Sequence, residues 1–243
     1  MTKQRKILYG IFVVLFAFIL LALGLIQMFT YRGTPEAQEI WNVAAFEQKN
    51  NWTHFEVTGE KKGTFIFYTG ALVEPQAYAK LADGLAKEGI EVYLISSQLN
   101  LPVLDNGTMA KIVKEEHLDK VFLGGHSLGG VVSTVEAKNL NENNKVAGLI
   151  LLASYPDKST DISNTSIPVL SITASNDKIL NQEKYQDGKS RLPQSTIYTT
   201  IEGGNHSGFG LYGQQNGDGE ATLEAEKQQE QLIQLIKNFI ETH

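Results

Sequence analysis

The chain has 243 residues, 42% of them hydrophobic and 20% charged, with 21 Lys and Arg against 27 Asp and Glu. That composition excludes a disordered or fibrous chain and provides for a sizeable buried core, while the absence of cysteine excludes disulfides, thiolate nucleophiles and thiolate metal sites. Four of the basic residues and none of the acidic ones fall in the first 33 positions, which leaves 17 against 27, a net −10 that repels phosphate backbones and argues against nucleic acid as a partner.

Lys3, Arg5 and Lys6 precede an apolar run from Ile7 to Ile26, extended past Gln27 by Met28 and Phe29. The run is long enough to cross a bilayer, and no small-x-small cleavage site follows it in "QMFTYRGTPEAQ". Residues 1–29 therefore read as a retained signal anchor rather than a cleaved signal. The basic residues ahead of the run place the N-terminus inside and the bulk of the chain on the extracytoplasmic side of the cell membrane. Residues 30–50 carry a weak amphipathic stretch, "AQEIWNVAAFEQ", which reads as a linker or a short helix lying on the domain, the linker being the simpler reading. The domain itself is expected over 51–243.

Alternation in "WTHFEVT" and "TFIFYT", joined by "GEKKG", predicts a hairpin of two strands. Tyr78, Leu81, Ala82 and Leu85 then mark one face of a helix over Pro75–Glu88, which Gly89 stops. Next come a strand "IEVYLIS", a helix "TMAKIVKEEH", a strand "KVFLGG" and a helix "LGGVVSTVEAKNL". The continuous apolar run "VAGLILLAS" predicts a strand buried on both faces. A strand "PVLSITAS", a weak helix "NQEKYQDGKSRL" and a strand "STIYTTIEG" follow, before a last helix with Leu232, Leu235, Ile236, Phe239 and Ile240 on one face. This alternation predicts an α/β fold with a mostly parallel central sheet flanked by helices on both faces.

Where "KVFLGG" turns into a helix, Gly125-His126-Ser127-Leu128-Gly129 forms the pattern G-x-S-x-G. In that pattern a serine stands on a strained strand-to-helix turn, and the glycines two residues before and after it avoid a clash. A serine hydroxyl is a weak nucleophile alone, so a histidine base and an orienting carboxylate should follow it in the order acid, histidine. Four of the five histidines have ordinary places: His54 in a strand, His117 at a helix end, His126 inside the turn with its side chain away from the serine, and His243 at the terminus. His206, in "IEGGNHSGFG" after the last strand, is left as the base. Asp177, after "PVLSITAS", is the acid, with Asp157 and Asp161 as runners-up and a helix N-cap as its alternative role.

A tetrahedral intermediate also needs two backbone donors, one from the residue after the nucleophile and one from the loop after the first central strand. Leu128 supplies the first and Ala71 the second, with Leu72 beside it; Glu74, before Pro75, reads as a helix start.

With these residues in place, the chain resembles the α/β-hydrolase superfamily, and within it the small lidless hydrolases related to dienelactone hydrolase. The resemblance lies in "YTGALVEPQAYAKLADGLAKEGIEVYLI", "GGHSLGG", "GLILLASYP", "IPVLSITASNDKI" and "IEGGNHSGFGLYG", about residues 64–213. It implies Ser127 as nucleophile, Asp177 as acid, His206 as base and an oxyanion hole from Leu128 and Ala71. The chain departs from that group where a serine replaces its cysteine nucleophile and Thr69-Gly70 replaces its usual His-Gly.

Only Ser154 to Ile167 separates two of the strands where relatives insert a lid, so an open cleft is expected, bordered by Gly203–Gly219 with Phe209, Tyr212 and Leu72 as substrate contacts. "NGDGE", Asn216–Glu220, lacks the ligand spacing of a calcium loop, and no metal or cofactor is assigned. The expectation is a membrane-anchored serine hydrolase, a carboxylesterase acting on a small-molecule or surface-exposed acyl ester. An acyltransferase with the same triad and a non-catalytic interaction protein on the same fold are the alternatives.

Overall fold

A computed structural model of the chain describes residues 3–57 and 59–243. Met1 and Thr2 of the expected anchor and Thr58 of the expected hairpin lie outside the described residues. The N-terminal apolar run is one helix, α1, Lys3–Phe29. Its stretch Ile11–Phe29 is long and apolar enough to cross a membrane and has none of its residues buried.

Tyr31–His243 forms the second compact unit. The segment expected as a linker begins this unit and is packed into it. Thr34 caps helix α2, Pro35–Val43, by accepting a hydrogen bond from the Ala37 amide, with Pro35 in the first turn. Within α2, the ring of Trp41 lies 4.7 Å from Phe46 and 5.9 Å from Phe55, burying apolar surface that a free linker would leave in water.

The strands are β1 Glu47–Gln48, β2 Trp52–Phe55, β3 Gly63–Tyr68, β4 Ile90–Ile95, β5 Val121–His126, β6 Val146–Leu152, β7 Val169–Ala174 and β8 Ile197–Ile201. They form one sheet in the order β1-β2-β4-β3-β5-β6-β7-β8, parallel from β4 through β8, with β1 and β2 antiparallel at one edge. The expected hairpin does not form. β2 pairs antiparallel with β4, and β3 pairs parallel with β4 and β5. The link between β2 and β3 is too long for a tight hairpin turn, and Phe65, Ile66, Phe67 and Tyr68, all buried, suit a strand covered on both faces at the centre of a parallel sheet.

Period-two alternation in β3 divides the core. Phe65 and Phe67 join the layer under α2, helix α3 (Ala79–Lys87) and the C-terminal helix, whereas Ile66 and Tyr68 join the layer on the opposite face. That opposite layer holds Met109 and Ile112 of α4, Thr108–Glu115, and Val132, Ala137 and Leu140 of α5, Leu128–Asn141. A short helix, α6 (Gln182–Gly188), lies between β7 and β8, and α7, Ala225–Thr242, closes the chain. Leu232, Ile236, Phe239 and Ile240 of α7 are buried as expected. Leu235 is only half-buried, and Ile233 takes the inner place because Gly84 lets its side chain reach α3.

No helix or strand among the described residues interrupts the chain between β6 and β7. After β4 the chain crosses to the far side of β3 to form β5. The sheet therefore has its switch point between β3 and β5, where an open α/β sheet leaves a crevice at the carboxyl ends of its strands.

At the amino end of β4, Glu91 receives hydrogen bonds from Lys61 (2.9 Å) and Thr64 (3.0 Å) and lies 3.1 Å from His54 Nε2. Burial opposes its charge, but the hydrogen bonds from His54, Lys61 and Thr64 outweigh that and hold the carboxyl down at about 2. A carboxyl lower in the fold than in the unfolded chain stabilises fully above its unfolded value near 4.5 and ceases to as the pH falls to about 2. Acid titration followed by denaturant unfolding should show a steeper loss of stability between those limits in the wild type than in Glu91→Gln. Trp41→Ala, which empties the aromatic cluster under α2, should lower the unfolding free energy by about 2 kcal/mol, whereas a true linker residue would change it by under about 0.5 kcal/mol.

Candidate active site

β5 runs out at His126, and Ser127 makes the turn into α5 with φ 52° and ψ −120°. A non-glycine residue in this region costs on the order of 1–3 kcal/mol, so the surroundings must over-determine it. They do so through its own peptide groups: Ser127 N donates to Leu152 O at 2.9 Å, and its carbonyl accepts from Ser154 Oγ at 2.7 Å and Gly130 N at 3.0 Å. A Cβ on Gly125 would collide with the Gly129 backbone, and one on Gly129 with the Thr69 carbonyl. These two glycines therefore let strand, helix and the end of β3 approach closely enough for the turn to form.

Asp177 follows β7 and His206 follows β8, so both come to the same end of the sheet as Ser127. Asp177 Oδ2 lies 2.8 Å from His206 Nδ1, and both side chains are almost wholly out of solvent. Asp177 Oδ1 accepts from the amides of Ile179 and Leu180, each at 2.8 Å, which fixes the carboxylate plane. An ionised carboxylate only accepts, so beside one His206 carries its proton on Nδ1 and leaves Nε2 unprotonated. The N-cap role weighed for Asp177 is filled instead by Asn181, whose Oδ1 accepts from Lys184 N. Asp157 and Asp161 only close local turns, accepting from Ser159 and Ser163.

Ser127 and His206 line one half-enclosed cavity of about 170 Å³, with Val131, Ala153, Ile179 and Leu180 as apolar walls and Tyr155 and Asn181 as polar ones. No hydrogen bond joins Ser127 Oγ to His206 among the described residues; such contacts often tighten only once substrate is bound. The Leu128 and Ala71 amides have no protein partner among the described residues, whereas Leu72 N donates to Asn100 O at 2.7 Å.

Three expected substrate contacts are corrected. Phe209 and Tyr212 are buried in the core layer, with Phe209 packed against His126 at 5.5 Å and Tyr212 against Tyr31 at 5.5 Å. Leu72, at φ 57°, spends its peptide groups on Asn100 and Tyr31. None of the three lines the cavity, which is bordered by the segments after β6 and β7; of Gly203–Gly219 only His206 reaches it.

The loop bearing His206 is held from two sides. Gln228 of α7, fully buried, accepts from Asn205 N at 3.0 Å and donates to Asn205 O at 2.8 Å, and Gln229 donates to Gly208 O at 2.7 Å. From the other side Asp218 accepts from the amide and hydroxyl of Ser207 at 2.8 and 2.7 Å, which is the structural use of "NGDGE". Glu74 precedes a short 3₁₀ turn at Pro75, as expected. Among the described residues, the group that could hold a metal does not line the cavity: Glu47, His54 and Glu56 have ligand atoms within 4.8 Å of one another, and Lys49 already pairs with Glu47 at 3.3 Å.

Sequence reasoning missed His126 and Tyr78. His126 is not merely turned away from the serine: its ring lies 4.5 Å from that of His206, and its Nδ1 is 2.8 Å from Tyr78 Oη. Burial, and then the neighbouring His206, drive its basicity well below the ordinary histidine value, so the ring is neutral. In the sequence Tyr78 reads only as part of the apolar face of its helix, and nothing in the spacing of the two residues marks the contact.

A model of the alpha/beta hydrolase family matches residues 64–230. No curated protein matches the sequence. Among solved structures, the chain is similar to a hyperthermophilic esterase from the archaeon Pyrobaculum calidifontis, at 15% identity and a TM-score of 0.61 over 85% of this chain and 88% of that one. It is similar also to alpha/beta hydrolase domain-containing protein 10 from mouse, at 14% identity and a TM-score of 0.60 over 82% and 98% of the two chains. A soluble variant of the Saccharomyces cerevisiae monoglyceride lipase matches at 13% identity and a TM-score of 0.57 over 82% and 94%. At these identities the likeness is one of fold.

Gln228→Ala would strip two buried backbone groups of Asn205 of their partners, and should lower the unfolding free energy by about 2–3 kcal/mol in a denaturant titration.

Proposed function

The chain belongs to the alpha/beta hydrolase family, and from that premise we propose that it is a serine hydrolase of ester bonds, a carboxylesterase. The observation that carries this reading is the shared cavity, in which a serine on a strained turn stands beside a histidine already paired with a buried aspartate.

In this mechanism Ser127 Oγ attacks the acyl carbon as His206 Nε2 takes its proton, and Asp177 stabilises the imidazolium that results. The carbonyl oxygen gains negative charge and is met by the amides of Leu128 and Ala71. The tetrahedral intermediate collapses, the alcohol leaves with the proton from His206, and Ser127 holds the acyl group. Water, activated by the same histidine, repeats the attack and releases the acid.

Residues 1–29 act as a signal anchor in this reading, with the hydrolase unit on the extracytoplasmic face. The support is the uncharged span of α1 behind Lys3, Arg5 and Lys6. The sequence segments similar to dienelactone-hydrolase relatives and the lack of an inserted lid support a place among the small lidless members.

Ser127→Ala should lower hydrolysis of short p-nitrophenyl esters by at least about 10³-fold and abolish labelling by a fluorophosphonate probe. Labelling that persists in this variant would sink the assignment.

A further inference from the structure

The hydrogen bonds around His126 fix its protonation without reference to any substrate. Gly70 N donates to Tyr78 Oη at 2.9 Å, so the tyrosine's own proton is free to point at His126 Nδ1, 2.8 Å away. His126 then accepts on Nδ1 and carries its proton on Nε2, which is buried with no hydrogen-bond partner among the described residues. Leaving a buried N–H unpaired is unfavourable. The ring is kept in place all the same, packed between His206 at 4.5 Å and Phe209 at 5.5 Å.

The same ring reaches the loop after β3. A Cβ on Gly70 would stand 2.9 Å from His126 Nδ1 and 3.1 Å from Tyr78 Oη, so only glycine permits this approach. Gly70 O in turn accepts from Val73 N at 3.3 Å, which orients the peptide whose other end is the Ala71 amide. One imidazole, in the residue next to the nucleophile, thus touches the base ring directly and the oxyanion loop through a single hydroxyl.

We propose that Tyr78 and His126 form a positioning unit that registers the Gly70–Ala71 loop and the His206 ring to the strand carrying Ser127. The proposal rests on the serine-hydrolase reading above. Because the unit is neutral, it places no charge against His206 when that ring becomes an imidazolium.

The test is steady-state hydrolysis of a short p-nitrophenyl ester by the full-length chain and by Tyr78→Phe, His126→Leu, His126→Asn and the double variant Tyr78→Phe/His126→Leu. Removing an oxyanion donor outright costs on the order of 10²–10³ in kcat. Misaligning one by Tyr78→Phe should lower kcat about 10–100-fold with KM within about threefold. His126→Leu should fall at least as far, His126→Asn should recover part of the loss by offering an acceptor where Nδ1 stood, and the double variant should be no worse than His126→Leu alone. Single variants that keep kcat within about twofold, losses confined to KM, or losses that multiply in the double variant would overturn the proposal. If His126→Leu fails to fold, Tyr78→Phe decides, since it removes one oxygen from a filled site. Ester hydrolysis unchanged in Ser127→Ala would instead overturn the underlying reading.

Discussion

Everything at the candidate site depends on a contact between backbones: the end of β5, the start of α5 and the end of β3 meet with no side chain between them. Gly125 and Gly129 allow it, and the Ser127 peptide groups, bonded to Leu152, Ser154 and Gly130, hold the serine at a positive φ that it would not choose alone. At the tip of that turn Ser127 and Leu128 both line the cavity. The sheet order supplies the rest, because the reversal at β3 leaves a crevice at the place where this turn projects.

The loops that meet there are rigid for a reason rooted in hydrogen-bond accounting. Buried peptide groups need partners. The His206 loop finds them in Gln228 and Gln229 of α7 and in Asp218, the Asp177 loop in its own amides, and the Gly70–Val73 loop in Tyr78, Asn100 and Tyr31. Each is anchored to a different part of the core, so the residues brought together at the cavity are positioned by contacts far apart in sequence.

Most strands and helices were legible in the sequence because their periodicity is local, and the order expected after a strained serine turn singled out Asp177 and His206, which the fold sets 2.8 Å apart. Pairing was not. The hairpin expected from "WTHFEVT" and "TFIFYT" depended on which strand lies beside β2, and β4, later in the chain, takes that position. Phe209 and Tyr212 looked like cleft walls because they follow His206, yet the 3₁₀ turn at Ser207–Phe209 sends them into the core. His126 was passed over for the opposite reason. Its position in the turn is explained by the strand alone, and only the fold brings Tyr78 and His206 to its ring.

The chain enters the second unit at Tyr31, and that residue is not a spacer. Its amide donates to Leu72 O at 2.7 Å, its carbonyl accepts from Glu74 N at 2.9 Å, and its hydroxyl accepts from Asn216 N at 3.1 Å. The first residue of the second unit is thus sewn into the loop that carries the Ala71 amide. A form of the unit trimmed at residue 33 discards that stitch. The boundary that respects the physics is the one drawn ahead of Tyr31, and a shorter chain would leave Leu72 O and Glu74 N in the loop after β3 without these partners.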